Sequence, residues 1–346
     1  MKRTDRSFAS VTIVDVAREA GVSYATVSRV INHEDYVKPD TRERVTEVLS
    51  RLGYVGNRQA RSLRGGRTHT IGLLVRGLDT GYIGEIVRGI DRELVEHHYD
   101  LMLYTTHWRQ HSESAYVETL TQGMVDGLLL VLPRSPENYL DWLRERHFPY
   151  VLIDHQGIDS IGPAVGATNT QGGHDATHYL LELGHRRIGF ITGDMQLGCA
   201  HDRLQGYKEA LQEVGIAFDE QWVVEGDFLQ PSGYAGAALL LGRKERPTAI
   251  VASNDVMAFG VMEAVRDHGL RIPEDISIIG FDDIPQAASV HPPLTTIRQP
   301  LEEMGRVAAQ LLLEIIETPS QPGKHIALPT QLIVRHSCQA PNTVLN

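Results

Sequence analysis

Tyr24, Ala25, Thr26, Ser28, Arg29 and Asn32 would share one polar face if wound on a helix. Short hydroxyl and amide side chains with one guanidinium suit DNA: base edges are read near the helix start, and hydroxyls and Arg hold phosphates. Ala25 brings only a methyl group, an apolar contact. A second polar set follows apolar runs: Arg76 in LLVRG, Asp154 in VLIDH, Asn254 and Asp255 in VASND, Asp282 and Asp283 in IIGFDD. Arg203 joins them at the expected start of a later helix. Asp or Asn beside Arg can hold paired hydroxyls, and Tyr82, Phe228 and Trp222 could cover the apolar face of a sugar. The same carboxylates could instead cap the helices that follow, the use favoured for Asp255 and Asp283.

Catalysis finds little support. The chain holds no G-x-S-x-G elbow, no P-loop, no H-E-x-x-H, and no G-x-G-x-x-G after its first apolar run. His107 and His111 are four apart and could share a helix face, but no third ligand accompanies them, and the other histidines are scattered. No catalytic residue, metal or cofactor is therefore expected, and the chain reads as a non-enzyme.

The elements that must position the first set begin at Thr12. Thr12 and Asp15 have capping-box spacing, Ile13, Val16, Ala17 and Ala20 form an apolar stripe, and Gly21 ends the helix. Ser23 caps a second helix with Val27, Val30 and Ile31 inward. An amphipathic pair alone fits a hairpin packed on a larger core; the tight turn, the caps and the polar outer face favour DNA. Pro39 and Asp40 open a third helix, with Asp40 or Thr41 as cap, Val45, Val48, Leu49 and Leu52 inward, and Gly53 as stop. Tyr54 to Arg67 is arginine-rich with no acid and reads as a linker, or alternatively as a disordered tether whose Leu63 packs on the body.

From Thr12 to Asn32 the chain matches T-x-x-D-V-A-x-x-A-G-V-S-x-x-T-V-S-R-V-x-N at every fixed position. It thus resembles the helix-turn-helix of the LacI/GalR family of bacterial transcription repressors. The resemblance implies a homodimer on double-stranded, pseudo-palindromic operator DNA, one headpiece per half-site. Thr12, Ser23, Thr41 and Tyr54 complete the expected DNA-contacting set. In that family the segment matching residues 57–68 forms a hinge helix on the operator, and a leucine wedges into the minor groove. By position that leucine is Leu63, with Asn57, Ala60 and Arg61 lining the groove. Gln59 departs from the apolar residue common at the hinge-to-hinge contact.

Beyond His69, apolar runs alternate with helical patterns in two halves, which implies right-handed βαβ crossovers and parallel sheets. Expected strands include THTIGLLV, VDGLLLVLP, FPYVLIDH, RRIGFITG, WVVEGD, TAIVASND, ISIIGFDD and ALPTQLIVR. Among the expected helices, one spans 172–183, one 202–214 and one 304–317. The expected fold is an all-α three-helix headpiece with hinge helix, then an α/β periplasmic-binding-protein-like body of two parallel-sheet lobes. The headpiece would span 11–56, the hinge 57–68 and the effector-binding and dimerisation body 69–340. Its first lobe would take 69–168 and 298–328, its second 169–297 and 329–340.

In such open sheets ligands sit beyond the carboxyl ends of the strands. The resemblance places Arg203, Asn254 and Asp282, in R-L-x-G-Y, A-S-N-D and G-F-D-D, at ligand-contacting positions, with Asp154, Tyr82 and Phe228 also facing the cleft. Departures stand at Ala167-Thr168-Asn169, where V-D-N is common, and at Arg76 and Val131. Arg76 suits an anionic ligand or a surface salt bridge equally. The expected effector is a sugar or sugar derivative, with a purine-like ligand second.

Charge is divided as this reading requires. The chain carries −11 overall, yet residues 1–69 hold 13 Lys+Arg against 8 Asp+Glu and the remainder 20 against 36. A basic head on an acidic body is expected where only the head meets phosphate. Cys199 and Cys338 are too far apart in sequence to suggest a metal or disulfide framework. No signal-like or membrane-length apolar run occurs, so a soluble cytoplasmic protein is expected. The tail after Arg335 lacks leucine heptads, which favours a dimer over a zipper-tethered tetramer.

Overall fold

The computed structural model describes residues 11–31, 36–54, 67–78, 81–106, 113–133, 136–155, 162–319 and 323–342. The chain divides into two compact units, residues 1–68 and 69–346. The first contains α1 (Ile13–Ala20), α2 (Tyr24–Ile31) and α3 (Pro39–Leu52). Thr12 and Asp15 form the capping box: the Asp15 amide donates to Thr12 Oγ1 and the Thr12 amide to Asp15 Oδ2 at 3.0 Å. Gly21, at φ 62°, turns the chain in the left-handed region that a side chain would oppose. Ser23 Oγ then accepts the Thr26 amide at 3.1 Å and starts α2. Val16, Val27 and Val45 are fully buried at the centre of this unit.

The start of α3 corrects the expected cap. Neither Asp40 nor Thr41 caps it; Lys38 precedes the helix without a side-chain bond, and Pro39 is its first residue. Proline lacks an amide hydrogen and carries a helical φ, so it opens a helix without a capping oxygen.

The second unit comprises two six-stranded sheets. The first has the order β11-β5-β4-β3-β1-β2, from β1 (Thr70–Val75), β2 (Asp100–Thr105), β3 (Gly127–Val131), β4 (Tyr150–Ile153), β5 (Ala164–Ala167) and β11 (His325–Leu328). All its pairings are parallel, with Ile71 opposite both Leu101 and Gly127. β1 is apolar along its length and buried on both faces, as parallel strands under helices must be. On one face α4 (Gly81–Glu96) packs Ile86 and Ile90 with Met304, Ala308 and Leu312 of α11 (Leu301–Glu317). On the other lie α5 (Glu113–Thr121) and α6 (Glu137–Glu145), burying Val117, Leu120, Leu140 and Leu143.

The second sheet has the order β12-β10-β9-β8-β6-β7. Its strands are β6 (Ile188–Ile191), β7 (Val223–Val224), β8 (Ala249–Ala252), β9 (Ser277–Asp282), β10 (Thr295–Arg298) and β12 (Gln331–Ile333). β12 runs antiparallel to β10; the other pairings are parallel. α7 (Asn169–Glu182) and α8 (Gly198–Glu213) cover one face through Ala176, Leu180, Tyr207 and Leu211. α9 (Gln230–Leu241) and α10 (Asp255–Asp267) cover the other. The chain passes between lobes from β5 to α7, from β10 to α11 and from β11 to β12.

Several local expectations need revision. ALPTQLIVR is not one strand: it breaks at Pro329 and Thr330 into β11 and β12, which serve different sheets. WVVEGD contributes only two strand residues. β5 and β10 are strands that no apolar run announces, since AVGA and TTIR gain their burial from neighbouring strands. Helices α7, α8 and α11 start three or four residues earlier than periodicity indicates. Arg203 therefore sits inside α8 rather than at its start. First turns such as NTQG and GCAH carry no apolar stripe, and their helicity is imposed by packing. Among the described residues no helix is long and apolar enough to cross a membrane.

Candidate functional site

Arg76, Tyr82, Asp154, Arg203, Phe228, Asn254 and Asp282 all line one cavity between the lobes of the body. Arg76 follows β1, Asp154 follows β4, and Asp282 ends β9, so the cavity lies at the carboxyl ends of both sheets. Val131, Leu132, Ile83 and Cys199 supply apolar wall. The backbone is unusual here. Among the described residues Leu132 (φ 47°), Asp154 (54°), Phe228 (69°) and Asp282 (114°) occupy the left-handed region, as does Asp283 (57°) beside them. Such conformations cost energy in non-glycine residues and persist where packing enforces them, commonly at binding sites.

Arg203 is the centre of the polar network. Its Nε donates to Asn169 Oδ1 at 2.8 Å, and its Nη1 to the Ser253 carbonyl. Asp282 lies 3.7 Å from one side of the guanidinium and Asp154 3.9 Å from the other, while the Phe281 ring sits 3.8 Å beneath. All three charged side chains are at least 96 % out of water, with exposures of 3 %, 2 % and 4 %. Tyr82 donates its hydroxyl to Asp154 Oδ2 at 2.7 Å, and Gln299 donates to Asp282 Oδ1 at 2.7 Å. Burial pushes both carboxyls above their ordinary range, the Arg203 charge and these hydrogen bonds pulling the other way. Burial likewise drives the Tyr82 hydroxyl and the Cys199 thiol up. Carboxyls raised by burial inside a cleft mark a site built for a polar ligand rather than for stability.

Arg76 is neither a surface residue nor open to the cavity alone. Its Nη2 meets Asp194 Oδ2 at 3.2 Å, across the lobes. Asp194 stands three residues past the end of β6, within reach of the same strand-end rule, yet sequence reasoning passed over it. Asn169 and Gln299 were also missed as members of the network, because their partners are distant in the chain.

Other assignments change. Asn254, not Asp255, caps α10: its Oδ1 accepts the Met257 amide at 2.9 Å while its Nδ2 donates to the Phe228 carbonyl at 3.0 Å. Asp255 is turned inward, accepting from the Ile284 amide and Thr296 Oγ1. Burial, then the Asp282 charge, push its carboxyl well up. Asp283 caps no helix either; Arg298 and Arg335 bind it at 2.7 and 2.6 Å. Both aspartates follow a strand end, but Asp255 is already the first residue of α10 with its side chain held by Ile284 and Thr296, and Asp283 sits at φ 57° in the grip of two arginines. Trp222 lies on a short helical turn before β7 and does not line the cavity. Phe228 keeps its place because Gly193 yields room: a Cβ there would lie 1.9 Å from its ring.

In the N-terminal unit α2 buries Val27 and Val30 and leaves Tyr24 54 % exposed. Arg29 and Ser23 are exposed, and Ala25, Thr26 and Ser28 half-buried. The hydroxyls of Thr12, Ser23 and Thr26 already serve the helix starts. Thr41 is half-buried in the first turn of α3, and Tyr54 packs against the core. Asn32, Asn57, Ala60, Arg61 and Leu63, with the expected hinge helix and the pair His107 and His111, lie outside the described residues.

Two family models match this chain. Residues 12–57 match the bacterial regulatory proteins of the lacI family, and residues 177–338 match a periplasmic binding protein-like domain. An HTH-type transcriptional repressor PurR from Edwardsiella ictaluri (strain 93-146) is 39 % identical over 328 residues, 94 % of this chain and 96 % of that protein. The structure of a transcriptional regulator CelR–cellobiose complex is similar at a TM-score of 0.73 and 36 % identity, covering 94 % of this chain and 99 % of that one. The lac repressor dimer bound to operator and an anti-inducer is similar at a TM-score of 0.85 and 29 % identity, covering 96 % and 100 %.

Proposed function

Because the chain belongs to the lacI family of bacterial regulatory proteins, we propose that it is a transcriptional repressor whose operator affinity is set by a small molecule in the inter-lobe cavity. Two copies bind a pseudo-palindromic operator, one headpiece per half-site. The observation that carries this reading is α2. Its apolar side is spent on the headpiece core, and its other side holds Tyr24 and Arg29 at the surface. Tyr24, Ala25 and Arg29 read bases, and the hydroxyls of Thr12, Ser23, Thr26, Ser28 and Thr41, with Asn32 and Tyr54, fix the register. Asn57, Ala60, Arg61 and Leu63 follow along the minor groove.

In the cavity, Asp154, Asp282 and Arg203 offer acceptors and donors in pairs, and Tyr82 and Phe228 offer rings. Adjacent sugar hydroxyls match this set, so a sugar or sugar derivative is the effector we assign. A purine-like ligand is the second reading, since a flat base could stack on the Phe228 or Tyr82 ring of the cavity wall. Either ligand, touching both lobes, would favour one lobe arrangement and thereby the spacing of two hinges. Coupling of about 1–3 kcal/mol changes DNA affinity roughly 5–150-fold. The test is a thermal-shift screen of sugars, sugar acids and nucleobases on the whole protein, followed by operator-binding titrations with each stabilising compound. Operator binding unaffected by every stabilising compound would overturn the coupling, and salt-insensitive DNA affinity would overturn the repressor reading.

A further inference from the structure

Where α7 and α8 pack together in the second lobe, outside the cavity lining, two imidazoles and a carboxylate converge. His174 and His178 stand one turn apart on α7, their rings nearly parallel (13°) with centroids 5.4 Å apart. Glu213, the last residue of α8, reaches between them. Its Oε2 lies 2.9 Å from His174 Nε2 and 3.8 Å from His178 Nδ1. One donor atom from each of the three lies within 4.8 Å of the other two. The remaining ring nitrogens face carboxylates as well: Asp175 Oδ1 is 3.4 Å from His174 Nδ1, and Glu182 Oε1 is 3.4 Å from His178 Nε2. His178 Nδ1 is itself buried and makes no hydrogen bond among the described residues.

We propose that His174, His178 and Glu213 form a binding site for a divalent transition-metal ion of the zinc class. Two neutral imidazoles and one carboxylate are a common zinc donor set, with water filling the fourth position. Bonds of about 2.0–2.2 Å in tetrahedral geometry hold ligand atoms about 3.4 Å apart, so only small side-chain shifts separate the present arrangement from coordination. Asp175 and Glu182 take the outer role of fixing ring orientation by accepting from the nitrogen opposite the metal.

The close approach of the two helices makes the site. A Cβ on Gly206 would lie 2.1 Å from the Thr170 carbonyl, and one on Gly173 would lie 2.2 Å from that of Arg203. Only glycine allows this contact, which brings the end of α8 over the histidines. The same two helices carry Asn169 and Arg203 to the cavity. A bound ion therefore staples together the pair of helices that positions the central guanidinium.

The experiment is calorimetric titration of the untagged, chelator-stripped full chain with zinc chloride. One ion per chain is expected, with affinity at least tenfold weaker in His178→Ala and in Glu213→Gln. A control substitution just past the end of α10, His268→Ala, should leave it unchanged. Visible absorption of cobalt(II) added to the unaltered chain gives a second readout that depends on no variant. Tetrahedral cobalt bands that zinc abolishes support the site. Absence of saturable zinc binding, absence of those bands, or equal affinity in His178→Ala and Glu213→Gln would each overturn it. The outcome is independent of the operator and effector experiments above.

Discussion

Arg76 and Asp194 form an ion pair across the two lobes, 3.2 Å apart with side chains 8 % and 11 % exposed. A charge pair this deep gains little net stability, because desolvation offsets the attraction, but breaking it is expensive. Its two members belong to separate sheets, so its worth depends on how the lobes are arranged. It is a contact that a ligand entering the cavity must keep or replace.

Asp194→Asn should remove the Asp194 charge from the side of Arg76 and destabilise the protein on the order of 3 kcal/mol. Pairing that change with Arg76→Met should recover much of the loss. Urea unfolding of both single variants and the double variant gives the coupling; additive losses would show that the pair is not energetically linked.

Arg29→Ala should weaken operator binding by about 1–3 kcal/mol if the guanidinium reads a base, and should leave effector-induced stabilisation unchanged. Fluorescence anisotropy on labelled operator measures the first and a thermal shift the second. Undiminished DNA binding would remove Arg29 from the interface.

Asp282 gives a pH dependence whose sign is fixed. Burial, opposed by Arg203, raises its carboxyl to about 7 in the folded chain, against 3.8 when unfolded. Between these values the folded state holds the extra proton, so stability falls as pH rises through the window. Asp282→Asn removes that dependence. Unfolding measured at pH 5 and pH 8 should show the parent losing more than the variant, the difference being on the order of a few kcal/mol at most. Equal losses would mean that Asp282 ionises at its ordinary pKa.

Gly193→Ala should displace Phe228, because the added methyl would meet its ring at 1.9 Å. Overpacking of this kind costs about 1–3 kcal/mol. The larger effect should be on ligand binding: compounds that stabilise the parent should lose most of their thermal shift, with DNA binding retained. A full shift in the variant would exclude Phe228 from the site.

The headpiece was almost entirely legible, because its information is local. The capping box, the Gly21 turn and the three apolar stripes each depend on residues within four positions, and helical geometry converts such spacing directly into contact. The α1–α2 turn therefore follows from Thr12, Gly21 and Ser23 alone. The start of α3 escaped, because Pro39 can open a helix without a capping oxygen. In the body, the strand-end rule pointed to Arg76, Asp154, Asn254 and Asp282, which line one cavity, yet misjudged what two neighbours do. Asp255 and Asp283 follow strand ends too but are held by other partners, and Trp222, expected as a covering ring, lies before β7 and away from the cavity lining.

By itself the sequence determined the order of elements, the division into a basic head and an acidic body, and the apolar runs that must become buried strands. These follow from hydrophobic periodicity and charge, which act residue by residue. Tertiary structure alone decided which distant groups meet: Arg76 with Asp194, 118 positions apart, Arg203 with Asn169 and both aspartates, and Glu213 with His174 and His178. The last case is instructive, since along the sequence His174 and His178 stood only among histidines that looked scattered. Their third partner came from another helix, drawn close by Gly173 and Gly206. Pair energies depend on separation in space, and separation along the chain carries no record of it once the chain has folded back on itself.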